Sequence, residues 1–178
     1  MNAEDLKAAQ APLKEQYRQS PRAAWVTLRA QGRIGRSVTC TVETAKGEVE
    51  AGLHPATGGS GESACSGDML LQALAACAGV TLSAIATALG IGLREASVLA
   101  EGDLDFRGTL GVAKEAPVGF QNLRLQFRLD TDASEDQLAT LLRLTERYCV
   151  VAQTLAQRPA LSIIRASADQ DAGGGQPG

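Results

Sequence analysis

SGDMLLQALAACAGVTLSAIATAL, residues 66–89, is the stretch that decides the fold. It carries no charge after Asp68, and Gly90 and Gly92 follow it as helix stop signals. Ser66 is expected to cap the first turn, and Asp68 places a negative charge at the positive end of the helix dipole. At ~1.5 Å per residue such a helix is about 36 Å long, roughly the width of a small domain. The stretch therefore predicts a long, apolar central helix.

This helix has two different apolar faces. The bulky face is suited to packing on a sheet, and the face of small residues lets another helix approach closely. A second copy of the same helix is the economical partner, which predicts a homodimer formed across Gly79 and Ser83. The abundance of Ala, Gly, Ser and Thr indicates a buried helix rather than a membrane span. The bulky face consists of Leu71, Leu74, Ala78, Leu82, Ile85 and Leu89, and the small face of Gln72, Ala76, Gly79, Ser83, Ala86 and Gly90.

Composition bounds the rest of the chain. Its 178 residues, 44% hydrophobic, suit one domain, and a net charge of −3 without a basic cluster argues against nucleic-acid binding. The polar start, MNAEDLKAAQ, does not resemble a signal peptide, so a cytoplasmic protein with reduced thiols is expected. The four cysteines form no C-x-x-C pair, and the single histidine, His54, makes a zinc site improbable. We therefore expect Cys40, Cys65, Cys77 and Cys149 to be core residues or redox thiols.

The N-terminal half predicts one peripheral helix and a small sheet. Residues 3–19 form a charged helix broken at Pro12, within an extension that covers residues 1–22. The runs WVTLRAQ, RSVTCTVE and GEVEAGL predict a three-stranded antiparallel meander with turns at residues 32–35 and 46–47. HPATGGSGESACSG then leads into the central helix as a loop, and it lacks the G-x-x-x-x-G-K-[ST] pattern of a phosphate-binding loop.

The C-terminal half predicts three more strands and a second helical region. REASVLAEGDLDFRG and FQNLRLQFRLD contain alternating strands, and LSIIRASA is a last one. Ser134 and Gln137 form a capping-box pattern that opens a helix, and CVVAQTLAQ continues as helix, after a bend, until Pro159. Residues 169–178 predict a disordered tail. The predicted order βββ–α–ββ–α(α)–β is an α+β domain over residues 23–168, with an antiparallel sheet packed on the central helix.

Two segments carry a family resemblance. GDMLLQALAACAGVTL and RYCVVAQTLAQ resemble the OsmC/Ohr family of thiol-dependent hydroperoxide reductases, and the resemblance covers about residues 24–168. It implies an intertwined homodimer whose central helices pack together. It also implies that Cys77 is the attacking thiolate and Cys149 the resolving thiol. Arg33, in the turn QGRIGRS, matches the arginine that stabilises the thiolate, with Arg36 as the reserve.

The chain departs from the best-known peroxidase branches near each cysteine. Asp68 matches the family acid that orients the arginine, but it is Asp rather than Glu and lies nine residues before Cys77 instead of ten. Val150 follows Cys149 where those branches commonly have proline. Cys65 is an extra thiol that could replace Cys149 as the resolving partner.

The resemblance implies a function in oxidative stress defence. Cys77 would reduce an organic hydroperoxide, Cys149 would form a disulfide with it, and a small thiol or dithiol reductant would restore both thiols. No metal, organic cofactor, nucleic acid or membrane is expected to take part. The alternative is a noncatalytic dimer whose buried cysteines only pack, with a small apolar ligand between the subunits.

Overall fold

The computed structural model describes residues 1–155 and 160–165, so the predicted tail at residues 169–178 and the predicted helix end at Pro159 lie outside the described residues. This part of the chain forms five α-helices and seven strands. The helices are α1 (Ala3–Gln19), α2 (Ser66–Leu89), α3 (Phe106–Thr109), α4 (Glu135–Tyr148) and α5 (Val150–Thr154). The strands are β1 (Gly32–Ile34), β2 (Cys40–Thr44), β3 (Gly47–Gly52), β4 (Ala64–Cys65), β5 (Glu95–Asp103), β6 (Gln121–Asp130) and β7 (Ala160–Arg165).

The central helix α2 has the predicted bounds. Gly90 ends it in the left-handed conformation, with φ of 69°, and donates its N–H to the last turn of the helix. Its start differs in one detail: Cys65 is the N-cap, and Ser66 is the first helical residue, so the Ser66 hydroxyl does not cap the helix. Among the described residues, α2 is the one helix long and apolar enough to cross a membrane by length and composition.

The core lies between α2, α4 and the sheet β5–β6–β7. β5 pairs with β6 antiparallel and β6 with β7 parallel, so the α+β class is confirmed with a mixed rather than purely antiparallel sheet. The predicted Ser134–Gln137 capping box opens α4. The largest fully buried side chains come from the faces of these elements that point inward: Leu74, Leu125, Phe127, Leu129, Leu141, Thr145 and Cys149.

The second sheet, β1–β2–β3–β4, carries one polar and one apolar face. Residues directly opposite each other on paired strands share a face. The pairs Ile34–Cys40, Cys40–Ala51, Val42–Val49 and Ala51–Ala64 therefore place all the apolar residues on one side. This side is not covered: its residues are half-buried or, like Ile34, exposed.

The prediction of a strand in the run WVTLRAQ, residues 25–31, is wrong. Residues 25–31 have the alternating pattern of a strand but form no regular structure, and Trp25, Val26 and Leu28 are 88%, 72% and 89% exposed. A strand needs a neighbouring strand to satisfy its backbone hydrogen bonds, and this segment has none along most of its length. The predicted turn at residues 32–35 is accordingly displaced, because β1 occupies residues 32–34 and the turn spans residues 35–39.

The N-terminal extension forms a single helix. α1 continues through Pro12, so the predicted break there is wrong. An Asn2–Asp5 capping box opens the helix, and none of its residues is buried. Met1 and Leu6 lie near Gly79, Val80 and Ser83 of α2, which places α1 beside part of the small-residue face.

Candidate active site

Cys77 and Cys149 meet where α2 passes the junction of α4 and α5. Cys77 lies in the middle of α2 and is half-buried, whereas Cys149 is completely buried. Cys149 is the residue between the two C-terminal helices, with an extended backbone (φ −73°, ψ 103°). The Cys149 thiol donates a hydrogen bond to the Cys77 sulfur. The two cysteines predicted to react are therefore in direct contact.

Cys77 has an unusually polar set of contacts for a cysteine in an apolar helix. Burial raises the pKa of Cys77, but this is outweighed by hydrogen bonds from the Val151 N–H, the Cys149 thiol, the Thr81 hydroxyl and the Val150 N–H, and the net shift in its pKa is downward. Each of these donors favours the negatively charged sulfur. These contacts therefore make Cys77 more acidic than an ordinary cysteine thiol.

Cys149 is shifted in the opposite direction. Burial raises the pKa of Cys149, and contact with Cys77 raises it further, although the N–H groups of Ala152 and Val151 lower it in part. Two interacting thiols cannot both ionise easily in a shared apolar site. Of the two thiols, Cys77 is therefore the one that loses its proton more readily, and Cys149 is the one that keeps it.

Arg33 is not in this site within the chain. It lies on β1, not in a turn as predicted, and forms ion pairs with Glu43 and Glu48 on the polar face of the N-terminal sheet. Glu43 and Glu48 oppose each other directly on β2 and β3, so the guanidinium neutralises two like charges that would repel. Glu48 and Glu43 together raise the pKa of Arg33. The contacts of Arg33 are thus those of an exposed sheet residue.

Asp68 and the reserve arginine also lie apart from Cys77. Asp68 is exposed in the first turn of α2, and within the described residues its side chain makes no hydrogen bond or ion pair. Nine residues of continuous helix separate it from Cys77, an axial distance of about 13–14 Å. Arg36 is exposed in the turn at residues 35–39, where Val38 has a φ of 59°. Neither residue joins the cysteine pair in a single chain.

Cys65 does not support its predicted role as a second resolving thiol. It caps α2, twelve residues before Cys77, which corresponds to about 18 Å along the helix axis. A disulfide requires Cα atoms within about 7 Å. Cys65 therefore cannot reach Cys77 of the same chain while α2 remains intact.

Sequence reasoning missed three groups that contact the Cys77 sulfur. Thr81 lies one helical turn after Cys77, a spacing that places both side chains on one face. The N–H groups of Val150 and Val151 are free to bind sulfur because the first hydrogen bond within α5 runs from the Gln153 N–H to the Cys149 carbonyl, at 2.9 Å. The i, i+4 spacing of Thr81 was visible in the sequence. A bend at the start of CVVAQTLAQ was predicted, and the structure places a break between α4 and α5 at Cys149, but the N–H groups that it frees were not predicted.

The described residues contain no group of three or more His, Cys, Asp or Glu side chains that could hold a metal ion.

Solved structures share this fold. An OsmC-like protein from Mycoplasma pneumoniae superposes with a TM-score of 0.64 at 15% identity, covering 79% of this chain and 96% of its own. An organic hydroperoxide resistance protein from Elizabethkingia anophelis gives a TM-score of 0.63 at 15% identity, with coverages of 80% and 99%. The organic hydroperoxide resistance protein OsmC from Legionella pneumophila gives 0.58 at 17% identity, with coverages of 81% and 99%. The fold is thus that of the OsmC-like proteins.

The family model for OsmC-like proteins matches residues 59–163, more than half of the chain and both cysteines of the pair. The chain belongs to the OsmC-like family. No curated protein sequence matches it significantly.

Proposed function

We propose that this chain is a cysteine-based peroxidase that reduces organic hydroperoxides, with Cys77 as nucleophile and Cys149 as resolving thiol. The observation that carries the proposal is the direct contact of the two thiols, whose pKa values are displaced in opposite directions. A pair of cysteines that only packed in a core would have no need of four hydrogen-bond donors around one sulfur. Such a division of charge suits one thiol to attack and the other to retain its proton until it is needed.

The chemistry balances with a dithiol as the only other reactant. The Cys77 thiolate attacks one peroxide oxygen, the O–O bond breaks, and the departing alkoxide takes up a proton to become an alcohol. The sulfur is oxidised by two electrons to a sulfenic acid, Cys77–S–OH. The Cys149 sulfur then attacks the Cys77 sulfur, a disulfide forms, and hydroxide leaves as water with the Cys149 proton. A dithiol reduces this disulfide by exchange and becomes a disulfide itself.

The surroundings of Cys77 favour an organic substrate. Cys77 packs against the apolar core cluster, which contains Leu74 and Ala78 of its own helix, and Val151 of α5 packs against the same cluster. An alkyl group gains from leaving water for such a surface, whereas hydrogen peroxide does not. The names of the structural neighbours from Elizabethkingia anophelis and Legionella pneumophila, which describe organic hydroperoxide resistance, support the same choice.

We further propose that the working form is a homodimer, located in the cytoplasm. Along the described chain the first buried side chain is Leu74, so the whole N-terminal sheet lacks a core of its own. α2 is apolar over 24 residues, yet only four are buried, and Val80 is 71% exposed. A second copy of the chain would bury both the apolar face of the N-terminal sheet and the exposed apolar residues of α2. The intertwined dimer expected from the family resemblance supplies such a partner.

Limited oxidation tests the assignment of the two cysteines. We expect one equivalent of an organic hydroperoxide to produce a Cys77–Cys149 disulfide, because the thiols are already in contact and the reaction needs little rearrangement. Peptide mass mapping under non-reducing conditions measures the linkage. A dominant linkage of Cys77 to Cys65 or Cys40 would contradict the proposed pair and assign resolution to another thiol.

A further inference from the structure

The loop that leads from the N-terminal sheet into α2 is folded by its histidine. The His54 Nδ1 accepts the Ala56 N–H at 3.0 Å. The His54 carbonyl accepts the N–H groups of Thr57, at 2.8 Å, and Gly59, at 3.1 Å, and it also accepts the Thr57 hydroxyl at 2.9 Å. Both the ring and the backbone of His54 therefore close the turn at residues 54–59, which we call the histidine turn.

The backbone of the histidine turn is tightly folded. A Cβ at Gly59 would lie 1.8 Å from the Leu53 carbonyl oxygen, so only glycine fits at this close approach. Gly58 has a φ of 91°, in the left-handed region. The chain therefore doubles back on itself directly after His54, and the hydrogen bonds to His54 hold it in this shape.

The same imidazole joins the loop to the C-terminal half of the chain. Its ring stacks on Phe106, the first residue of α3, with the ring centroids 4.9 Å apart and 16° between the ring planes. Both side chains are half-buried. Since α3 lies in the connection between β5 and β6, the stack ties the loop before α2 to a loop of the second sheet.

We propose that His54 is a pH-sensitive clasp. With a neutral ring it holds the histidine turn closed, and with a protonated ring it releases the turn while the ring stays on Phe106. The segment freed at acidic pH is the loop that ends at β4 and the start of α2. The clasp involves neither cysteine of the candidate active site, so it is separate from the proposed peroxide chemistry.

The nitrogen that takes up the proton is the one that holds the turn. Because Nδ1 accepts the Ala56 N–H, the neutral ring carries its hydrogen on Nε2. An imidazolium has an N–H at both nitrogens and accepts no hydrogen bond. Protonation by solvent therefore replaces the bond from Ala56 by two N–H groups that point at each other. Histidine side chains gain this proton as the pH falls from about 8 to about 5, so the turn is closed above this range and opens through it.

The charged groups near the ring already have partners. α3 packs against the histidine turn, and its charged side chains, Asp105 and Arg107, bond to each other, with the Arg107 Nε 2.9 Å from the Asp105 Oδ1. In the loop itself, the Glu62 carboxylate accepts the Ser60 hydroxyl at 3.4 Å. The face of Phe106 attracts a cation, so the stack persists in both charge states. The bond from Ala56 is therefore the contact that protonation removes.

Three substitutions separate the acceptor from the stack. His54→Asn keeps a side-chain oxygen that can accept the Ala56 N–H, but this side chain does not titrate. His54→Phe keeps an aromatic ring for Phe106 and has no acceptor. Phe106→Leu removes the stack and leaves the His54 imidazole in place.

The measurement is the amide exchange of Ala56, Thr57 and Gly59 by NMR at about pH 5 and about pH 7.5, expressed as protection relative to an unstructured peptide at the same pH. In the wild type this protection should be about fivefold lower at the acidic pH, because one hydrogen bond is lost. His54→Asn should give the same protection at both pH values, and His54→Phe should give low protection at both. Phe106→Leu should keep the pH dependence of the wild type.

Equal protection of the wild-type turn at the two pH values would overturn the inference. A His54→Asn variant that keeps the wild-type pH dependence would also overturn it, because Glu62, Asp105 and Arg107 are unchanged in that variant and a carboxylate would then be the titrating group. Circular dichroism checks that each variant is folded. The exchange experiment contains no peroxide, so its outcome does not depend on whether the protein is a peroxidase.

Discussion

Replacing Cys77 with serine should reduce dithiol-dependent consumption of cumene hydroperoxide to the background rate. Serine keeps the shape of the side chain but its hydroxyl is not ionised at neutral pH, so the nucleophile is lost and the fold is kept. Removing the nucleophile of a catalytic unit typically costs on the order of 10³-fold or more in turnover. The measurement is loss of peroxide against time in the presence of dithiothreitol.

The Cys149→Ser variant separates attack from resolution. Its Cys77 should still react once, so one equivalent of peroxide should disappear rapidly and leave a sulfenic acid that dimedone labels. Cys65→Ser is the matched control, because Cys65 lies about 18 Å along α2 from Cys77, and it should turn over like the wild type. Full activity in Cys77→Ser, or an equal loss in Cys65→Ser, would refute the assignment. If the wild type itself consumes no peroxide, the noncatalytic alternative with packed cysteines becomes the better account.

The parts of the fold that sequence predicted well are those with local signals. α2 runs from Ser66 to Leu89 as expected, because an uninterrupted apolar run ends in a glycine that adopts the left-handed conformation. α4 begins at its capping box for the same kind of reason: Ser134 and Gln137 satisfy each other's backbone N–H groups within four residues. Neither feature depends on distant parts of the chain.

The errors in the fold came from features that depend on a neighbour. Residues 25–31 alternate like a strand, but alternation does not specify which edge such a strand would pair with, and the single chain offers none. The predicted break at Pro12 is an error of a different kind. A proline weakens a helix without always ending it, and α1 continues through Pro12.

The sequence identified the two cysteine side chains of the candidate site, but it did not identify the backbone N–H groups beside them. Cys77 and Cys149 were both identified from the sequence, and the structure brings them into contact. The donors from Val150 and Val151 could not be foreseen, because any residue except proline carries an N–H and only the break in the helix frees it. Arg33 was assigned from its Gly-Arg turn, whereas its partners Glu43 and Glu48 depend on strand register.

A substitution on the exposed face of α2 should have a large effect on the proposed homodimer. The small-residue face predicted a close helix approach at Gly79, but in the structure a Cβ added there would lie 3.3 Å from a methyl carbon of Val98 in the chain's own β5. A Gly79→Leu substitution would therefore disturb folding and assembly together. Val80, the next residue along α2, is 71% exposed in the single chain and is a cleaner probe of a dimer interface.

Val80→Glu should dissociate the dimer. A glutamate at this exposed position costs little in the separate chain, whereas a carboxylate buried without a partner between two subunits costs about 3–5 kcal/mol. That penalty corresponds to a dissociation constant more than a hundredfold weaker. Light scattering coupled to size exclusion at micromolar concentration should give twice 18.5 kDa for the wild type and a mass approaching 18.5 kDa for the variant.

Val112→Glu is the matched control for this experiment. Val112 is also exposed, at 73%, but it lies in the loop after α3 and not on α2. The same change of side chain there should leave the mass at the dimer value. Dissociation should also lower the melting temperature of Val80→Glu, because the N-terminal sheet, which has no buried side chain in one chain, would lose the partner that covers it. A wild type that is monomeric at micromolar concentration, or a Val80→Glu variant that keeps the dimer mass, would show that α2 does not form the interface.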